Sequence, residues 1–153
     1  MLRNIVIAFA AIALAAAPAA AQRVGYQPAN MWGGYKDKET KPGIYRVVAK
    51  LNAWSGGARR AYAMAHYRAA EIMAGKEFTH FRILKMKSSE LVMQGSTPTG
   101  SNFGKTHLWV RGASGADDVE GCDMKGKKAD RCVTLSVSET MALYRKQLDF
   151  EKY

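Results

Sequence analysis

Acidic side chains are scarce in this chain: 13 Asp and Glu stand against 23 Lys and Arg, a formal net charge of +10. Cysteine is scarcer still, with only Cys122 and Cys132, and these do not form a C-x-x-C pair. The spacing speaks against a zinc knuckle and against a thioredoxin-type redox motif. No H-E-x-x-H occurs, and none of the three histidines, His66, His80 and His107, has a second ligand of the right type within the next turn or strand repeat. A G-x-S-x-G nucleophile elbow is missing too, and no pair of carboxylates shares a helix face for acid–base work. The sequence therefore offers no catalytic, metal or cofactor motif, and it contains no internal repeat.

Only one long apolar run is present, and it lies at the start. Arg3 is followed by the unbroken stretch Ile5–Ala17, then Pro18 and the small residues Ala19-Ala20-Ala21 before Gln22. A charged n-region, a short apolar h-region and an A-x-A site read as a cleavable export signal, Met1–Ala21, cut between Ala21 and Gln22. A membrane span needs roughly 20 apolar residues, and this run is shorter and ends in a helix breaker. A lipid anchor would need a cysteine directly after the cut, whereas the first cysteine is Cys122. The expected mature protein is soluble and not membrane-spanning, and it is periplasmic or secreted. Loss of Arg3 with the leader leaves it a net charge of +9.

Residues 22–42, rich in Gly, Pro, Asn and Lys, show no sustained period and read as an irregular N-terminal arm whose aromatics pack in part on the domain. Within it, Lys36–Lys41 alternates in sign and reads as a solvated loop. Residues 43–153 then read as a single domain. Tyr45, Val47, Ala49 and Leu51 alternate with polar positions as in a half-buried strand. Residues 58–74 form an Ala-rich helix, with Ala58, Ala61, Tyr62, Ala65, Ala69 and Ile72 on its apolar face, Met64 and Tyr67 turned away, and Gly75 as a left-handed C-cap. Extended segments follow at Phe78–Met86, with Phe78, Phe81, Ile83 and Leu84 as core, near Leu91–Met93, at Thr106–Arg111 and at Arg131–Leu135. Gly95–Gly104 reads as a flexible loop. Ser136 and Glu139 have capping-box spacing, and Val137, Met141, Tyr144 and Leu148 continue as an amphipathic helix over about 137–149. The order predicts an α+β fold with two helices packed on a small, mostly antiparallel sheet.

Gly34-Tyr35-Lys36-Asp37, Tyr45-Arg46-Val47, Tyr67-Arg68-Ala69-Ala70-Glu71, Gly75 and Phe81-Arg82 form a series. Over about residues 34–83 it resembles a family of short, uncharacterised bacterial envelope proteins, many of them described as lipoproteins. The resemblance implies an exported location and a small α+β fold, and supplies no catalytic residues. The chain departs from the pattern in lacking the lipid-bearing cysteine and in its cysteine-containing C-terminal third.

In an oxidising compartment Cys122 and Cys132 are expected to form a structural disulfide. Closing so short a loop is worth about 3 kcal/mol in the chain-entropy model. Arg68 and Glu71 have ion-pair spacing on the helix, and the tryptophans Trp32, Trp54 and Trp109 read as buried packing by default, with exposed contact residues as the alternative. Basic residues cluster at Arg59-Arg60, at Arg82, Lys85 and Lys87, and at Lys125, Lys127, Lys128 and Arg131. The last group, held by the disulfide, is the candidate anion contact, although Asp117, Asp118, Glu120, Asp123 and Asp130 surround it. Together these features favour a non-enzymatic binding module for an anionic envelope polymer or an envelope protein rather than for nucleic acid. The rival readings are a small secreted hydrolase built around His80 and His107, and an envelope stress or redox sensor.

Overall fold

The strand read from Ile44–Leu51 does what period two demands: Val47, Ala49 and Leu51 are fully buried, while Arg46, Val48 and Lys50 point the other way. It is the second strand of the fold. The computed structural model describes residues 24–52, 55, 57–91, 103–148 and 150. In chain order these form β1 (Gly33–Lys41), β2 (Ile44–Leu51), α1 (Gly57–Ala74), β3 (His80–Leu91), β4 (Phe103–Ala113), a 3-10 turn (Gly126–Arg131), β5 (Thr134–Ser136) and α2 (Val137–Arg145). The strands make one antiparallel sheet in the order β1-β2-β4-β3-β5. Both helices lie on one side of it, so the fold is α+β in two layers.

The core lies between the sheet and α1. Val47, Ala49 and Leu51 from β2, Leu108 and Val110 from β4 and Phe81 and Ile83 from β3 meet Ala61, Ala65, Ala69 and Met73 of the helix. Alanines let the helix axis come close. Gly104 takes this furthest: a Cβ there would stand 2.0 Å from the Ala58 nitrogen, so only glycine lets β4 pass beneath the first turn of α1. Ser136 caps α2 by accepting from the Glu139 N–H, and Val137 and Leu148 bury the apolar stripe.

Several expectations are corrected. Part of the supposed irregular arm is β1, and the domain includes it. The Lys36–Lys41 alternation is strand periodicity, with sign in place of hydrophobicity as the alternating property. Met64 and Tyr67 are buried although they lie off the alanine stripe; α2 packs along α1, and the rings of Tyr26 and Phe150 cover Tyr67. Tyr26 stacks on Tyr35 at 4.8 Å and meets the edge of Tyr67 at 4.9 Å. Phe78 is 41% exposed. Its ring instead covers Gly112, where a Cβ would come within 2.5 Å of it. Gly75 is not left-handed; Glu77 takes that role, at φ 64°. Arg131 closes the 3-10 turn, so the last strand is only Thr134–Ser136. α2 stops at Arg145, where the Gln147 and Leu148 N–H groups turn back to Tyr144 and Arg145. The leader Met1–Ala21, the Ala21–Gln22 junction, Trp54 and the Val92–Met93 strand end lie outside the described residues. So does the Gly95–Gly104 loop apart from its last two residues, which open β4.

Candidate anion-binding face

The helices cover one side of the sheet; register defines the other. Opposed residues in an antiparallel pair share a face. One cross-strand row therefore carries Lys36, Val48, His107 and Lys87, and the next Lys38, Arg46, Trp109 and Lys85. Lys50 lies across from Lys105 on one side of these rows, and Ile44 from Arg111 on the other. Lys41 opposes Ile44 and joins them, so besides Arg82 nine basic side chains of the described strands share the open face, and none of the described strand residues on it is acidic. Like charges directly opposed, as at Lys38 and Arg46, destabilise a sheet. Folding alone does not favour such an arrangement.

The same register sends acids the other way. In β1, Lys36 and Lys38 point outward, while Asp37 and Glu39 point to the helix layer. There the Arg68 guanidinium pairs with Asp37 at 2.8 Å and with Glu71, and lies over the Tyr35 ring at 4.8 Å. Tyr26 donates to Glu71 at 2.7 Å. Burial, then the bond to Glu71, raises the Tyr26 pKa. Burial works against the charge on Arg68, but its bonds to Asp37 and Glu71 more than offset this and raise its pKa. This network consumes its own members and latches the N-terminal arm to α1.

Trp109 sits at the centre of the open face. The Arg46 guanidinium lies 5.2 Å from its ring centroid and the Lys85 Nζ 5.7 Å, close enough for cation–π attraction. His107 stacks on it at 6.0 Å and shares a 2.9 Å hydrogen bond with Arg46. Burial, followed by the charges of Lys105, Arg46 and Lys87, lowers the His107 pKa. The ring thus registers the positive field of the face.

Among the described residues, acid reaches the face only from the segment between β4 and β5. Arg111 makes a two-pronged pair with Asp118, at 2.8 and 2.6 Å, and Lys85 pairs with Asp123 at 2.7 Å. These bonds hold both aspartates below the usual carboxylate range. The segment is fastened at the bulge in β3, where the Asp123 N–H donates to the Leu84 carbonyl. Cys122 and Cys132 are bridged, with Cα atoms 5.6 Å apart, and no free cysteine remains. Arg82, nominally on the open face, is buried beneath this segment and donates to the Val119 carbonyl.

The disulfide-loop candidates divide. Lys125, Lys128 and Arg131 join Lys85 and Lys87 around a recess of about 530 Å³ that Asp123 also lines. Lys127 is exposed but not part of that lining. Arg59 and Arg60 belong to α1, in the other layer. The histidines are not brought together. His66 is buried in α1 between Tyr62 and Tyr144, while His80 lies opposite Ala113, six residues along β4 from His107, roughly 20 Å at about 3.4 Å per residue. That removes the pair on which the hydrolase reading was built. Among the described residues no group of three or more His, Cys, Asp or Glu could hold a metal ion, and no helix is long and apolar enough to cross a membrane.

Sequence reasoning missed Lys36, Lys38, Lys50 and Lys105 because they are scattered along the chain and converge only through strand pairing. The sign alternation of β1 was the available signal. Trp32, expected to be buried, is 62% exposed. No family model matches the chain, and no curated protein or solved structure is detectably similar to it.

Proposed function

We propose that this protein is an exported, non-enzymatic binding module that holds a polyanionic ligand of the cell envelope against the open face of its sheet. The observation that carries the reading is the convergence of nine basic side chains on that face with no acid on it among the described strand residues. Side chains two apart on a strand are about 7 Å apart, and neighbouring strands about 4.8 Å. The face is therefore a grid of cations to which a ligand bearing repeated phosphate, sulfate or carboxylate groups binds at several points. Export is supported by the Arg3–Gln22 pattern and by the resemblance of residues 34–83 to bacterial envelope proteins, and the Cys122–Cys132 bridge is compatible with an oxidising compartment. Lys125, Lys128 and Arg131 extend the grid beyond β3.

The test is retention on an anionic matrix such as heparin across a salt gradient. Strong retention at low salt that collapses as salt rises is expected, because binding releases counterions. The pair Lys36→Glu and Lys105→Glu is expected to elute far earlier. A charge-matched control, Arg59→Glu with Lys146→Glu on the helix layer, is expected to shift much less. Equal shifts for both pairs, or no retention of the unaltered protein, defeat the assignment.

A further inference from the structure

We infer that the polyanion is a bilayer surface carrying anionic phosphate head groups, and that the turn bearing Met31 and Trp32 is the element that enters it. The inference rests on the reading of the open face as an anion-binding surface, and it names the ligand.

The turn is built to present these two side chains. Asn30 and Gly33 exchange backbone hydrogen bonds at 3.0 and 3.3 Å, closing a two-residue tip, and the Asn30 side-chain oxygen accepts from the Trp32 N–H at 2.9 Å. Behind the tip, the Ala29 N–H donates to the Tyr35 carbonyl and the Tyr35 N–H to Gln27. Gly34 lets these strands of chain touch: a Cβ there would lie 2.6 Å from the Gln27 carbonyl oxygen. The tip is thus stiff, and it leaves Met31 87% and Trp32 62% exposed, two large apolar side chains standing together in water.

The tip adjoins the cationic grid. A cavity of about 310 Å³ lies between it and the sheet, lined on one side by Met31 and Trp32 and on the other by Lys36, Lys50 and Lys105. Those three lysines belong to the open face, so tip, cavity and grid form one continuous surface. Among the described residues no carboxylate lines the cavity. Its volume and cationic wall suit a phosphate head group. The apolar pair beside it suits the boundary between head groups and acyl chains, where Trp is favoured and basic residues attract anionic lipid. A hydrophilic polymer would satisfy the lysines but give Met31 no apolar partner. That difference decides for the bilayer. Contact is peripheral, because no described helix is long and apolar enough to span a membrane.

The experiment uses the chain as purified from a host that exports it, mixed with phosphatidylcholine vesicles with and without phosphatidylglycerol and followed by co-sedimentation. In parallel the protein is run on heparin. Binding only to the phosphatidylglycerol vesicles is expected. The double variant Met31→Ser and Trp32→Ser is expected to bind them at least about tenfold more weakly while keeping its heparin retention and thermal midpoint. Lys36→Glu with Lys105→Glu is expected to lose both kinds of binding. Retention on heparin without vesicle binding overturns the lipid assignment and leaves the cationic face standing, the ligand then being a soluble polyanion. Vesicle binding that is unchanged in the tip variant overturns the role of Met31 and Trp32. Failure on both vesicles and heparin overturns the anion-binding reading itself.

Discussion

His66 is expected to make this protein lose stability on mild acidification. Its imidazole is buried in the helix layer, with the Tyr62 ring centroid at 3.9 Å and that of Tyr144 at 5.5 Å. Burial pushes its pKa down to about 4, although the hydrogen bond with the Tyr62 carbonyl works in the other direction. In the unfolded chain the group titrates near its ordinary value of about 6.5. A folded pKa below the unfolded one means that the unfolded state binds the proton first. The stabilisation is therefore complete above about pH 6.5 and is lost as pH falls toward 4. Between pH 7.5 and pH 5 the linkage relation gives a loss of about 2 kcal/mol, approaching about 3 kcal/mol below both values. For a domain of this size 2 kcal/mol corresponds to a fall in Tm of roughly 5–10 °C. His107 contributes in the same direction. The carboxylates held low by their partners, Asp118 and Asp123, act only at lower pH. The assay is a set of thermal melts from pH 7.5 to 5 on the unaltered protein and on His66→Leu. The variant is expected to be markedly flatter over this window. If both lose the same stability, or if acidification stabilises the unaltered protein, the reasoning is refuted.

The Gly104→Ala substitution is expected to lower stability by about 3 kcal/mol or more, because its Cβ would meet the backbone of α1 at 2.0 Å; a Tm within about 2 °C of the parent contradicts the close approach. Glu77→Gly relieves a left-handed backbone at φ 64° and is expected to add about 0.5–1 kcal/mol. Gly75→Ala is expected to add about 0.4–1 kcal/mol, since its Cβ would meet only ordinary contacts at 3.6 Å. Urea titrations decide both, and a loss in either case refutes the turn geometry assigned to residues 75–77. Replacing both Cys122 and Cys132 with Ser is expected to cost about 3 kcal/mol through the released loop. Denaturant midpoints of the bridged and serine forms measure it, and equal midpoints would show that the bridge contributes nothing.

The period-two run Ile44–Leu51, the alanine stripe of α1, the Ser136 cap and the nearness of the two cysteines were legible in the chain because each is a local pattern with a local cause. Hydrophobic alternation places a strand, small residues at helical spacing place a close-packed helix, and a short cysteine loop closes readily. From these the α+β arrangement follows. Where the cause was not local, the reading failed. Met64 and Tyr67 look exposed on a helix considered alone, yet both are buried in the fold, Tyr67 against the rings of Tyr26 and Phe150. Gly75 looks like a helix terminator, yet the chain turns left-handed two residues later at Glu77.

The cationic face belongs to this second kind. Lys36, Lys50 and Lys105 lie far apart in sequence and in no basic cluster; of the visible clusters only that of Arg82, Lys85 and Lys87 belongs to a strand of the face, whereas Arg59-Arg60 and Lys125–Arg131 lie off it or at its margin. The amino-acid sequence by itself determined which segments alternate, which helix lies close to the sheet and how much positive charge the chain carries. Strand order and register decided where that charge goes, because opposed residues share a side of the sheet and a shift of one position would have turned every lysine of β1 toward the helices.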